Sequence, residues 1–140
     1  MDIFVLSSGL EEKLITELQK VFKTFYPESN AGDYTSMVND HHHQRMHEYL
    51  QDAKEKGAKI INLGEFDSSE NNIVTTKVLL NVNDNMRVMK EEIFGPLLPV
   101  MVYENLSEAV DYINKHDPVS YTHLRAHETR HDLVCRLLLE

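Results

Sequence analysis

The 140-residue chain is poor in cysteine, in basic residues and in long apolar runs, and each shortage closes a class of function. Its single cysteine, Cys135, cannot form an intrachain disulfide, so a disulfide-stapled secreted scaffold is excluded. Lys and Arg number 14 against 23 Asp and Glu, a net charge of -9 that disfavours nucleic acid as a partner. No apolar run approaches the roughly 18–20 residues of a membrane span. The opening MDIFVLSSGLEEK has no basic region ahead of its short apolar stretch, so no secretory signal is expected. Internal repeats, coiled-coil heptads and low-complexity tracts are also missing. What remains is an acidic, soluble, cytoplasmic chain of one domain's size at most, with neither nucleic acid nor membrane as a partner.

The patterning up to Asp117 alternates β-like and helical runs. Asp2 to Leu6 reads as a strand. Ser8 and Glu11 have the spacing of a capping box, and Leu10, Leu14, Leu18, Val21, Phe22 and Phe25 then recur at helical intervals until Pro27. A second helix is predicted from Asp40 to Lys56, with Met46, Leu50 and Ala53 inward and Gly57 as its stop. Ala58 to Leu63, Ile73 to Val82 and Leu97 to Tyr103 read as strands, the second buried on both faces. Met86 to Glu91 reads as a short helix. Asn105 and Glu108 make a second capping box for a helix carrying Leu106, Ala109, Val110 and Ile113. The order β-α-α-β-β-β-α predicts an α/β layer with one or two parallel crossovers.

From Val119 onward the composition changes. VSYTHLRAHETRHDLVCRLLLE holds three of the eight histidines and the only cysteine. His127-Glu128-Thr129-Arg130-His131 fits H-E-x-x-H, which on a helix presents two imidazoles to zinc and a glutamate as base. The same segment resembles the in-frame translation of a transposon-type sequencing adaptor along its whole length, with the variable sample index falling inside the H-E-x-x-H. Residues 119–140 are therefore expected to be a non-native translated tail, and no metal site is assigned to them.

Three features within residues 1–118 could carry chemistry. His41, His42, His43 and His47 cluster at the head of the second helix, with His43 and His47 at i, i+4 and Asp40 beside them. The expected role of this cluster is a solvated first turn. Tyr26, Tyr34 and Tyr49 are expected to pack. In EEIFGP, Glu91 to Pro96, a carboxylate at an element's end could accept hydrogen bonds from both hydroxyls of a ribose. Phe94 could wall an aromatic ring, with Gly95-Pro96 fixing the turn.

MRVMKEEIFGPLLPV, Met86 to Val100, resembles the E-x-F-G-P element of NAD(P)-dependent aldehyde dehydrogenases. DYTSMVNDHHHQRMHEYLQDAKEKGAKI is similar to the helix and strand after that family's catalytic-cysteine loop, and VYENLSEAVDYIN to its following strand and helix. The flavour of DYTSMVND and MRVMKEEIFGPLLPV is that of the coniferyl-aldehyde-dehydrogenase branch.

The resemblance implies that residues 1–118 are a fragment of the catalytic domain, incomplete at both ends. It implies an oxidoreductase taking an aldehyde to the acid with NAD or NADP, in a homo-oligomeric parent. Glu92 matches the glutamate that holds the nicotinamide-side ribose, and Phe94 the phenylalanine beside it. Glu91 is expected to matter little if its side chain meets solvent. The nucleophilic cysteine, the general-base glutamate and the cofactor domain fall before Met1, so this chain is expected to contain no catalytic residue. Two other classes remain open on the residues alone, a His-cluster metal-binding protein and a non-catalytic α/β interaction module.

Overall fold

A computed structural model describes residues 3–27, 34–65 and 71–115. The predicted tail lies outside them, with its H-E-x-x-H and Cys135. Four strands form one sheet in the order β1-β4-β3-β2: β1 (Phe4–Ser7), β2 (Lys59–Asn62), β3 (Lys77–Leu80) and β4 (Leu97–Tyr103). β4 runs parallel to both β1 and β3, and β2 is antiparallel to β3. The helices are α1 (Glu11–Phe25), α2 (Asp40–Glu55) and α3 (Leu106–Lys115). The element order is the one predicted, and the α/β class holds.

Period-two alternation divides the core between the two faces of the sheet. Val78 and Leu80 pack with Leu6, Phe22, Leu63 and Val100 on the α1 side. Leu79, between them, packs with Met46, Tyr49, Ala53 and Leu97 on the α2 side. β3 is therefore buried on both faces, as its VLL centre predicted, although it is shorter than Ile73–Val82. Asn81 adopts φ 57, which ends it.

α2 has both ends fixed by sequence. The Asn39 side chain accepts a hydrogen bond from the His42 N–H at 2.8 Å, capping the start. At the other end Gly57 takes φ 94, its N–H reaches the Lys54 carbonyl, and the Ala58 N–H reaches the Ala53 carbonyl. Those paired bonds form a Schellman stop, for which a left-handed glycine is suited.

Other expectations fail locally. The Ser8–Glu11 capping box does not form: the Ser8 N–H is bonded to the Tyr103 carbonyl, extending the β1–β4 edge, and Leu10 occupies the cap with no side-chain bond. In the second box only the Glu108 half forms, its carboxylate accepting from the Glu104 and Asn105 N–H groups. Leu10 is exposed at the cap of α1, Val21 and Phe25 are exposed on α1, and Leu106, Val110 and Ile113 on α3. Helical spacing put them inward, but a periodic stripe is buried only where a facing layer covers it. The short helix predicted over 86–91 is a single 3₁₀ turn, Arg87–Met89.

Candidate functional site

The chain from Asn85 to Gly95 is laid along one ridge of α2, whose contacts recur at three- and four-residue steps. Lys56 Nζ donates to the Asn85 carbonyl at 2.7 Å and pairs with Asp52. Asp52 Oδ2 accepts the Arg87 N–H at 2.8 Å. Burial opposes ionisation of Asp52, but the bonds from Lys56 and Arg87 outweigh it and hold its carboxyl below the usual range.

Tyr49, one turn nearer the helix start, is fully buried and donates its hydroxyl to Glu91 Oε2 at 2.8 Å. Arg87 Nε donates to Glu91 Oε1 at 3.0 Å, and Arg87 also reaches Glu48. The Arg87 bond first, and then the Tyr49 bond, push the Glu91 carboxyl below its ordinary value. Burial, and then the Glu91 bond, raise Tyr49. The bond it donates to Glu91 raises Arg87. The guanidinium carbons of Arg87 and Arg45 lie 4.9 and 5.5 Å from the centroid of the Tyr49 ring. Glu91 is thus a carboxylate with two donors although its side chain stays 45% exposed, so the condition on which it was expected to matter little is met only in part.

Closer still to the start of α2, Arg45 donates to the Ile93 carbonyl at 2.8 Å and His42 Nε2 to the Phe94 carbonyl at 2.7 Å. Met46 fills the space beneath Gly95, where an added Cβ would overlap its sulfur. Phe94 itself sits at φ 44. A left-handed non-glycine residue costs roughly 1–2 kcal/mol. Two charge-assisted or neutral bonds to the adjoining carbonyls are of the size needed to offset that.

On this anchored loop the side chains of Glu92 and Phe94 are exposed. The Phe94 ring is 71% exposed and lines a cleft of about 540 Å³ with Gly95, Pro96, His42, Tyr34, Tyr26 and Phe22. Glu92 is exposed and makes no hydrogen bond or ion pair among the described residues. It does not line that cleft, so the structure holds the two sequence-predicted residues on one loop without bringing them into one pocket.

The histidines divide into different roles. His42 bonds the loop, which the expectation of a solvated first turn missed, because its partner lies 52 residues away. The Nε2 atoms of His43 and His47 are 3.3 Å apart. Asp40 does not join them but accepts from Asn72 Nδ2 at 2.6 Å. Among the described residues no group of three or more His, Cys, Asp or Glu is placed to hold a metal ion. Tyr26 and Tyr34 pack edge-on at 5.1 Å beside Phe22, and the Tyr34 hydroxyl also bonds Thr76 Oγ1. No described helix is long and apolar enough to cross a membrane.

This sheet, with an E-E-I-F-G-P loop seated on α2 ahead of β4, is matched by the profile of the Aldehyde dehydrogenase family over residues 3–119, and the chain belongs to that family. Among its relatives is a probable coniferyl aldehyde dehydrogenase of Pseudomonas aeruginosa, 40% identical over 115 residues that cover 81% of this chain and 24% of that protein. Aldehyde dehydrogenase family 3 member A2 of Macaca fascicularis is 31% identical over 141 residues, covering 99% of this chain and 27% of that protein. Among solved structures, the substrate-bound state of Staphylococcus aureus AldH matches with a TM-score of 0.71 at 29% identity, covering 81% of this chain and 24% of that one. The chain thus spans about a quarter of the length of the curated relatives it matches.

Proposed function

We propose that this chain supplies the nicotinamide-side cofactor contact of an NAD(P)-dependent aldehyde dehydrogenase that oxidises an aldehyde to the acid. The observation that carries the reading is the Glu91–Gly95 loop. Its anchors are the Glu91 carboxylate, the Ile93 and Phe94 carbonyls and the Gly95 backbone. That leaves the Glu92 carboxylate and the Phe94 ring outward on a fixed turn. A free carboxylate suits a ribose diol, since an ionised carboxyl accepts two hydrogen bonds. An exposed ring beside a cleft suits a flat heteroaromatic. When bound, NAD(P)+ supplies the hydride acceptor. Glu92 would fix the sugar and Phe94 would limit where the attached ring can swing, which sets the reacting distance.

The similarity to a coniferyl aldehyde dehydrogenase supports an aromatic aldehyde as substrate. On this reading no residue of this chain is catalytic, and the thiolate and general base come from elsewhere in a longer, cytoplasmic, homo-oligomeric enzyme. The family match ending at residue 119 supports reading 119–140 as a translated adaptor. The alignment with the macaque protein continues through that segment, so resequencing the source locus is the deciding observation.

Glu92→Gln in the full-length enzyme tests the site. The reading expects slower single-turnover hydride transfer at an unchanged melting temperature. A lowered melting temperature with wild-type hydride transfer would make Glu92 a turn residue instead.

A further inference from the structure

We infer that His42 and Arg45 are positioning residues for hydride transfer: by holding the Phe94 and Ile93 carbonyls, they fix the turn that aims Glu92 and Phe94. The inference rests on the reading of those two residues as cofactor contacts. Phe94 is left-handed at φ 44, a conformation its own backbone disfavours. Its ring is 71% exposed, so side-chain packing does not hold it there. What holds it is the pair of donors on α2, Arg45 to Ile93 O at 2.8 Å and His42 to Phe94 O at 2.7 Å.

Both donors come from a rigid part of the molecule. α2 is capped by Asn39 at its start, closed by Gly57 at its end, and buries Met46, Tyr49 and Ala53 completely. Arg45 is itself braced against the Tyr49 ring. Removing either donor frees the carbonyl of the strained residue or of the one before it, and the turn relaxes toward ordinary φ. The peptide planes that carry Glu92 and Phe94 then rotate. Cofactor affinity gathered elsewhere along the dinucleotide persists, while the reactive ring loses its placement. The expected signature is therefore a fall in the chemical step without a matching rise in the cofactor Kd.

The test uses the full-length dehydrogenase carrying this segment, with NAD(P)+ as the titrated cofactor. His42→Ala and Arg45→Met should each slow single-turnover hydride transfer by about 10- to 100-fold, the scale of a misplacement near one ångström. Cofactor Kd should move far less. His42→Gln, which returns an N–H donor at similar reach, and Arg45→Lys should recover part of the lost rate. His41→Ala is the control, since His41 is exposed and outside the clamp. In a mutant cycle, His42→Ala added to the Glu92→Gln/Phe94→Ala pair should cost little more than that pair alone, because the clamp acts through those two side chains.

If Glu92→Gln and Phe94→Ala slow hydride transfer while His42→Ala and Arg45→Met do not, the clamp is wrong and the cofactor reading stands. If Glu92→Gln and Phe94→Ala themselves have no effect, the underlying reading fails. Should Arg45→Met not fold, His42→Ala and its Gln rescue carry the test, and additivity with the Glu92→Gln/Phe94→Ala pair overturns the inference.

Discussion

Tyr49→Phe deletes one oxygen and leaves the ring volume in place, so it isolates the bond that fastens Glu91 to α2. The hydroxyl donates to a carboxylate at 2.8 Å from a fully buried ring. Hydrogen bonds to charged groups contribute roughly 1.5–3 kcal/mol. The Glu91 side chain is 45% exposed and keeps its second donor, Arg87 Nε at 3.0 Å, so solvent screening places the loss near the lower end, about 1–2 kcal/mol. The loss should depend on pH. Arg87 and Tyr49 hold the folded Glu91 carboxyl below its ordinary value of 4.5. A carboxylate shifted down when folded stabilises fully above the unfolded value and loses that contribution as pH falls through the folded one. Denaturant melting of the full-length protein should therefore show the largest gap between wild type and Tyr49→Phe near neutral pH. The gap should narrow as pH drops below 4.5. Glu91→Gln should destabilise at neutral pH at least as much, because it removes the charge that strengthens the bonds from both Arg87 and Tyr49. No destabilisation at neutral pH, or a gap that ignores pH, would refute the pairing.

Gly95→Ala should destabilise by about 1–3 kcal/mol, since its Cβ meets the sulfur of a completely buried Met46. Melting of the single variant and of its combination with Met46→Ala, expected to be less than additive, checks this. Gly57→Ala has open space around the new Cβ but keeps φ 94, so backbone strain alone should cost about 1 kcal/mol in the same assay. His127→Ala with His131→Ala should leave zinc content by elemental analysis unchanged; loss of stoichiometric zinc would restore H-E-x-x-H as a real site.

Local signals located the frame well. The VLL centre of β3 announced burial on both faces, and Gly57 announced the end of α2, because each depends on neighbours in sequence. Capping boxes were less secure, because Ser8 found a partner on β4 instead of on its own helix. The apolar stripes of α1 and α3 misled for a related reason: periodicity marks a face but not what covers it. At the site, EEIFGP singled out Glu92 and Phe94 through the family resemblance. The clamp that holds them was hidden, since a histidine four residues into a polar run carries no trace of a carbonyl far along the chain. The spacing of His42, Arg45, Tyr49, Asp52 and Lys56 at alternating three and four was the available signal. It reads as a solvated polar face until the segment 85–95 is laid against it.

The most direct test is a crystal structure of the full-length enzyme with NAD(P)+ bound. The account predicts the nicotinamide-side ribose hydroxyls within hydrogen-bonding distance of the Glu92 carboxylate, the Phe94 ring against the sugar and nicotinamide, and His42 still on the Phe94 carbonyl. A bound dinucleotide whose ribose lies away from Glu92, with that carboxylate left in solvent, would contradict it.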